Sequence, residues 1–337
     1  MRVYVIAEAG VNHNGDVGMA HRLVDAAAAA GADAVKFQTF HAEAIVSASA
    51  PKAPYQSRTT EASESQLEMV RRLQLDEAAH CELMAHCAAA GVDFLSSPFD
   101  AGAIRLLAEL GLSTIKVPSG EITNLPYLRQ LADLGVHLLV STGMSTMEDI
   151  RAALGTLEAA GTSGEQVTLL HCTSEYPTPY DEVNLRAIVG LREEFGLEVG
   201  YSDHTVGNEV AIAAVALGAT VIEKHFTLDC TLPGPDHAAS TEPAELAELV
   251  RAVRHIEVAL GDGRKIPTPS ERATMAVARK SIVAARDIAA GEVFNEENLA
   301  AKRPGTGITP MLWDRVMGRM AHRAYAADEL IDKREVE

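Results

Sequence analysis

The sequence predicts an α/β protein: a (β/α)8 barrel, the TIM-barrel architecture, followed by a small mostly-β domain. Three observations carry this expectation. A strand-then-helix rhythm repeats eight times before residue 262. Glycines stand where the intervening helices should stop. After Lys280 the alanine-rich helical character gives way to short strand-like pieces and turns.

The strands are read over Val3–Ala9, Ala34–Thr39, Asp93–Ser97, Thr114–Ser119, His137–Thr142, Val167–Cys172, Glu198–Ser202 and Thr220–Phe226. Each is a short run rich in β-branched residues, as strands of a parallel sheet buried on both faces should be. Alanine-rich segments between them, among them Met19–Ala30, Glu77–Ala90, Ala101–Glu109, Met147–Ala160, Glu209–Ala216 and Pro243–Leu260, read as helices. Gly31, Gly91, Gly111, Gly161, Gly218 and Gly261 supply the left-handed stop that ends such helices. An open doubly wound sheet is the alternative. Its dinucleotide signature GxGxxG is missing after the first strand, where the chain reads Gly10-Val-Asn-His-Asn-Gly15. Strand starts lie 21 to 31 residues apart except for one gap of 59. The extra residues, His41 to Gln66, are polar and contain Pro51 and Pro54, and a long loop inside a compact domain reads as a flap over the barrel mouth. The barrel domain is assigned to 1–261, a linker to 262–279, and the small domain to 280–337. Strands are expected there at Ser281–Ala285, Leu299–Lys302 and His322–Tyr325.

Composition narrows the function. The net charge of −18, from 29 basic and 47 acidic side chains, argues against nucleic acid or anionic lipid as a main partner. No apolar run approaches the roughly 20 residues of a membrane helix. The opening residues already read as a strand, with no cleavable signal before them. Cys81, Cys87, Cys172 and Cys230 lack CxxC spacing and read as buried, reduced thiols of a cytoplasmic protein.

In such a barrel the chemistry sits at the carboxyl ends of the strands. Those positions hold Glu8; Lys36 and Gln38; Ser96 and Ser97; Lys116, Ser119 and Glu121; Ser141 and Thr142; His171, Thr173, Ser174 and Tyr176; Ser202, Asp203 and His204; and Glu223, Lys224 and His225, with Asp236 and His237 on the last loop. A full ring of polar groups is costly to bury without partners, so a ligand-filled mouth is expected. Lys36 and Lys116 among hydroxyls suit a small polyanion such as a phosphate ester. His204 and His225 end adjacent strands, close enough to share a Lewis-acid metal with open positions.

The motifs that carry these residues resemble the sialic acid synthases, metal-dependent enzymes that condense phosphoenolpyruvate with a hexosamine aldehyde. The resemblance runs through Ile6-Ala-Glu-Ala-Gly-Val-Asn-His-Asn-Gly15, Val35-Lys-Phe-Gln-Thr39, Ser96-Ser-Pro-Phe99, Lys116-Val-Pro-Ser-Gly-Glu121 and Ser141-Thr-Gly-Met144. It continues through His171-Cys-Thr-Ser174, Tyr176-Pro-Thr-Pro179, Tyr201-Ser-Asp-His-Thr205, Glu223-Lys-His-Phe226, Pro233-Gly-Pro-Asp-His237 and Lys302-Arg-Pro-Gly305. It implies that the small domain is antifreeze-like (SAF) and that two subunits form a homodimer in which each SAF domain covers the partner's barrel. It further implies that Lys36, Ser97, Lys116, Ser119, Ser141, Ser174 and Ser202 hold phosphoenolpyruvate. His204 and His225 would hold the metal, manganese with magnesium or cobalt as alternatives. Gln38, Glu121, Tyr176 and Asp236 would contact an N-acylated amino sugar, and Arg303 would reach it from the partner subunit. Some related sequences carry Asn at the position of Ser174.

The expected reaction joins C3 of phosphoenolpyruvate to the open-chain aldehyde, adds water at C2 with Glu8 as base, and expels phosphate by C–O cleavage. N-acetylmannosamine is the expected acceptor, giving N-acetylneuraminate. The alternative acceptor is 2,4-diacetamido-2,4,6-trideoxymannose, giving legionaminate, with pseudaminate a further branch. Two other readings stand beside these: a Schiff-base aldolase using Lys36, Lys116 or Lys224, and a sugar-binding antifreeze-like module without catalysis.

Overall fold

Eight parallel strands form where the β-branched runs lie: β1 Tyr4–Gly10, β2 Ala34–Thr39, β3 Asp93–Pro98, β4 Thr114–Val117, β5 His137–Ser141, β6 Val167–His171, β7 Glu198–Asp203 and β8 Val221–His225. The computed structural model describes residues 2–47, 49–52 and 64–336. The strands are hydrogen-bonded in the order β3-β2-β1-β8-β7-β6-β5-β4, and β4 lies against β3, so the sheet curls into a barrel.

The strand pattern sorts side chains by parity, because successive residues point to opposite faces. On the inner face of several strands an apolar residue stands two positions before a polar one. Ile6 precedes Glu8, Leu95 precedes Ser97, Leu139 precedes Ser141, and Val221 precedes Glu223. Ile6, Leu95, Leu139, Leu170 and Val221 pack together as an apolar plug. The polar residues therefore lie in a layer above it, toward the strands' carboxyl ends. Gly200 of β7 makes room for this plug: a Cβ there would lie 2.6 Å from Leu170 Cδ2 and 2.7 Å from Val221 Cβ. The outer faces, with Val5, Ala7, Val35 and Phe37, join the helices in a larger core.

The helices stop and start on local signals. Asp16 caps Val17–Ala30 by accepting from the Met19 amide, and Gly31 ends it at φ 85°. The other predicted stop glycines also take positive φ. Of the stretch read as a flap, residues 48 and 53–63 lie outside the described ones. The flanking chain forms the short helix Ala42–Ile45 and, just beyond, the helix Gln66–Leu73, which opens on a Ser65–Glu68 capping box.

The chain divides into two units, 1–261 and 262–337. In the second, β9 Ser281–Ala284 pairs antiparallel with β10 Leu299–Lys302, and Ile282, Ile288, Phe294, Val316 and Tyr325 form its core. The strand expected over His322–Tyr325 is reduced to isolated bridges, Ile288 with Tyr325 and Val293 with Met320. The stretch read as a linker contains a helix, Pro269–Ala278. Thr268 and Glu271 close a capping box at its start and Pro269 sits in its first turn, so the local signal was strong although no residue of the helix is buried. Among the described residues, no helix is long and apolar enough to cross a membrane.

Candidate active site

Register brings the charged residues of the inner face together. Glu8 of β1 stands opposite Lys36 of β2 on one side and His225 of β8 on the other. Ser202 of β7 stands opposite Glu223 of β8. Lys36 Nζ reaches Glu8 Oε2 at 2.6 Å and Glu223 Oε2 at 3.7 Å. Lys116 Nζ reaches Glu223 Oε1 at 3.5 Å, and the Ser202 hydroxyl donates to the same oxygen at 2.9 Å. All four charged groups are buried.

The two carboxylates titrate apart. Burial pushes Glu8 up, against Lys36 and with Glu223, to about 7. Burial works on Glu223 too, but Lys116, Lys36 and the Ser202 hydroxyl outweigh it and hold Glu223 at about 2. Burial likewise opposes the Lys36 ammonium, yet Glu223 and Glu8 raise its pKa above the ordinary value. Lys116 is lowered by burial, only partly offset by Glu223. Environments that push paired groups apart in this way mark acid–base sites. Near neutrality Glu223 is ionised and Glu8 lies near its midpoint, so the two lysines share less than two full carboxylate charges.

His204 follows β7 and His225 ends β8; their ring centroids are 5.5 Å apart. His204 Nδ1 lies 2.6 Å from the Thr173 carbonyl, which can only accept, so the proton is on Nδ1 and the Nε2 lone pair is free. The Ser202 hydroxyl, 3.3 Å from that Nε2, already gives its proton to Glu223. His225 Nδ1 is buried with no hydrogen-bond partner. Burial lowers both imidazole pKa values, that of His225 strongly, so both rings are neutral. Neutral rings with free lone pairs, one oriented by a backbone carbonyl, are the donor set of a metal site. No third His, Cys, Asp or Glu joins them among the described residues, so an ion held here would keep positions open for substrate or water. The Tyr176 ring packs against both, at 4.2 Å from His204 and 5.3 Å from His225.

A cradle of small groups flanks this floor. Gly143 N donates to Ser119 Oγ at 3.1 Å, and Ser119 Oγ lies 3.2 Å from Cys172 Sγ. A Cβ at Gly143 would lie 2.3 Å from Ser174 Oγ and 2.8 Å from Ser119 Oγ, so only glycine keeps the hydroxyls open to a ligand.

One cavity of about 420 Å³ gathers Glu8, Lys36, Gln38, Ser97, Lys116, Ser119, Ser141, Ser174, Tyr176, Ser202, His204, His225 and Asp236. Asp236 is raised to about 6 by burial. Two expected residues lie elsewhere. Glu121 is outside the lining and accepts from Asn124 Nδ2 at 2.6 Å. Arg303 belongs to the second unit, where its Nε donates to the Ala278 carbonyl. Lys224 points to the other face of β8 and pairs with Asp203 at 2.7 Å, which removes it as a Schiff-base nucleophile for this cavity. Sequence reasoning gave Glu223 no role. The signal was parity: it lies two residues before His225 on the same face. Cys172 and an apolar wall on the β1–β3 side were also missed.

Residues 23–265 match the NeuB family and residues 279–337 match the SAF domain. The chain is 52% identical to the N,N'-diacetyllegionaminic acid synthase of Campylobacter jejuni, over 98% of this chain and 99% of that one. It is 46% identical to the N,N'-diacetyllegionaminic acid synthase of Legionella pneumophila, over 94% and 90%. Among solved structures, the N-acetylneuraminic acid synthetase of Leptospira borgpetersenii in complex with citrate superposes with a TM-score of 0.72 at 34% identity, covering 82% of this chain and 90% of that one. With its barrel, its strand-end ring and its second unit accounted for in this way, the chain belongs to the NeuB family of sialic acid synthases and carries a SAF domain.

Proposed function

We propose that the chain condenses phosphoenolpyruvate with 2,4-diacetamido-2,4,6-trideoxymannose and water, giving N,N'-diacetyllegionaminate and phosphate. The observation that carries the reaction class is a floor in which Lys36 and Lys116 flank the single ionised carboxylate Glu223, sharing one cavity with two neutral imidazoles. The choice of acceptor shifts from N-acetylmannosamine because the two relatives cited above at 52% and 46% identity are legionaminic acid synthases.

His204 and His225 would hold a divalent ion, manganese with magnesium or cobalt as substitutes. Bound there, it would supply Lewis-acid polarisation of the acceptor aldehyde. Lys36, Lys116 and the hydroxyls of Ser97, Ser119, Ser141, Ser174 and Ser202 bind the carboxylate and phosphate of phosphoenolpyruvate and orient its C3 toward that carbonyl carbon. As the carbon–carbon bond forms, positive charge develops at C2 and a water adds there. Glu8 takes the water's proton and passes it to the alkoxide left at the former aldehyde carbon, and the adduct expels phosphate with cleavage of its C2–O bond, the proton of the C2 hydroxyl leaving with the phosphate as the carbonyl forms. Gln38, Tyr176 and Asp236 contact the sugar within the subunit; Glu121 and the partner's Arg303 are assigned to its rim. The assembly is a homodimer with exchanged SAF domains, and four free cysteines accord with a cytoplasmic setting, although only Cys87 and Cys172 are buried as expected while Cys81 is exposed and Cys230 half-buried.

The test is phosphate release from phosphoenolpyruvate with each acceptor in turn. In ¹⁸O-labelled water the label is expected in the sugar product; label in phosphate would mean P–O cleavage and overturn the scheme. The Schiff-base reading predicts borohydride trapping with pyruvate and indifference to EDTA, and a non-catalytic module releases no phosphate at all.

A further inference from the structure

The cavity has two chemically distinct walls. Its floor is made of the charged and hydroxylated groups on the strands. Its β1–β3 side is apolar and is built from residues beyond the strand ends. Val11 follows β1, Phe40 follows β2, Phe99 follows β3, and Met69, Val70 and Leu73 come from the helix Gln66–Leu73. These side chains form a hydrophobic cluster separate from both the barrel plug and the outer core. Phe40 and Phe99 meet edge to face at 6.4 Å, and Met69 is 1% exposed. The wall therefore has its own packing and is not a loose fringe of the core.

Phosphoenolpyruvate gives this wall nothing to do, since its charges belong on the floor. The acceptor's aldehyde must also meet the floor, beside the imidazoles and the lysines. Its far end then rises to the level of residues that follow the strands. A hydroxymethyl group set against this wall would give up hydrogen bonds to water and gain none, whereas a methyl group is transferred favourably.

On this ground we propose that the wall of Val11, Phe40, Met69, Val70, Leu73 and Phe99 is the subsite that selects the acceptor, taking the C6 methyl and acetamido methyl groups of a diacylamino-6-deoxyhexose and disfavouring a C6 hydroxyl. This rests on the condensation reading above. The helix in the insertion after β2 is thus a specificity element, and the strand-end floor is indifferent to which amino sugar is joined.

The experiment compares kcat/KM for 2,4-diacetamido-2,4,6-trideoxymannose with that for N-acetylmannosamine. It uses the wild type and two near-isosteric variants that each add a hydroxyl to the wall, Val70→Thr and Phe99→Tyr. N-acetylmannosamine differs from the deoxy sugar at two positions, carrying a C6 hydroxyl and lacking the C4 acetamido group; an apolar pocket resolves one added hydroxyl by about 10- to 100-fold, so a wild-type preference of about 100-fold or more for the deoxy sugar is expected. Each variant should cut that ratio about 10-fold, while KM for phosphoenolpyruvate and the thermal midpoint stay at wild-type values. Ile45, on the separate helix Ala42–Ile45, lines the same cavity and packs against the same cluster, so Ile45→Thr gives an independent reading should either variant fold poorly. A wild-type preference that persists in all folded variants overturns the subsite and leaves the acceptor assignment standing. A wild type that prefers N-acetylmannosamine overturns both.

Discussion

Glu8 and Lys36 face each other across the β1–β2 ladder, and their charged ends meet at 2.6 Å in the barrel interior. The contact does not leave Glu8 an ordinary carboxylate. Burial and the nearby Glu223 push it up to about 7, while Glu223, set between two lysines, is held at about 2. One carboxylate is thus a permanent counter-ion and the other a group that exchanges its proton near neutrality.

A pH profile follows from this split. As a base, Glu8 must be unprotonated, so kcat/KM, which reports the groups of the free enzyme, should rise with pH through an apparent value near 7 and level off above it. Glu8→Gln should lower kcat by about 100-fold or more and remove that rising limb. A Gln variant that keeps the limb assigns it to another group and takes the base role from Glu8.

Glu223 should matter for stability as much as for binding. Its depressed pKa means that it stabilises the fold above the unfolded value of 4.5, and this contribution is lost as pH falls through about 2. Replacing it by Gln leaves Lys116 and Lys36 under-compensated in the interior. A loss of about 3–5 kcal/mol at pH 7 is expected in urea unfolding. The gap to wild type should narrow as acid protonates the native carboxylate. Equal stability of the two proteins at pH 7 would show that the lysines are neutral.

The imidazole pair makes a prediction that needs no turnover. EDTA-treated protein should bind close to one manganese ion per chain, read by the ion's electron paramagnetic signal. His204→Ala and His225→Ala should each abolish that binding while the circular dichroism spectrum is unchanged. Retention of a tight ion in either variant would locate the metal elsewhere.

Arg303 and Glu8 test the exchange of domains. If Arg303 serves the partner's barrel, Arg303→Ala and Glu8→Gln each inactivate both sites of their own dimers. Subunits mixed and allowed to exchange would form one intact site per hybrid dimer. Activity should reappear on mixing, and its absence in a verified hybrid would place Arg303 at its own chain's site.

The barrel was legible because most strands are short apolar or β-branched runs that follow a helix-stopping glycine, a signal contained in about 10 residues. The site was legible where parity and strand ends coincide, as for Lys36, Lys116 and His225. Glu223 was legible in principle by the same parity, but a lone carboxylate in a strand carries no sign of the two lysines that make it a counter-ion. The apolar wall was not legible, since Phe40, Met69 and Phe99 read as ordinary core residues until the chain brings three loops together. Asn12 was obscured in the same way: it lies in a conspicuous Asn-His-Asn run, yet its partners are 214 and 228 residues away.

That distant pairing gives a prediction about positioning. Asn12 is buried, and its two N–H groups donate to the Phe226 carbonyl and to Ser240 Oγ, both at 2.9 Å. Ser240 in turn donates to the Asp236 carbonyl at 2.7 Å. One carboxamide therefore holds the backbone beside His225 and the loop that presents Asp236. Asn12→Ala leaves a carbonyl and a hydroxyl without a donor, at a cost of about 1–3 kcal/mol, and frees the Asp236 loop. KM for the amino sugar should rise, while KM for phosphoenolpyruvate, which the proposed reaction assigns to lysines and hydroxyls on other strands, should stay within about a factor of 2. Asn12→Asp should be worse than Ala, because an acceptor would then face the Phe226 carbonyl. Asn12→Gln could reach the same partners only by moving the loop, so partial rescue of sugar KM is not expected from it. Equal rises in both KM values would mean that the barrel as a whole had loosened and that Asn12 has no particular hold on the sugar side of the site.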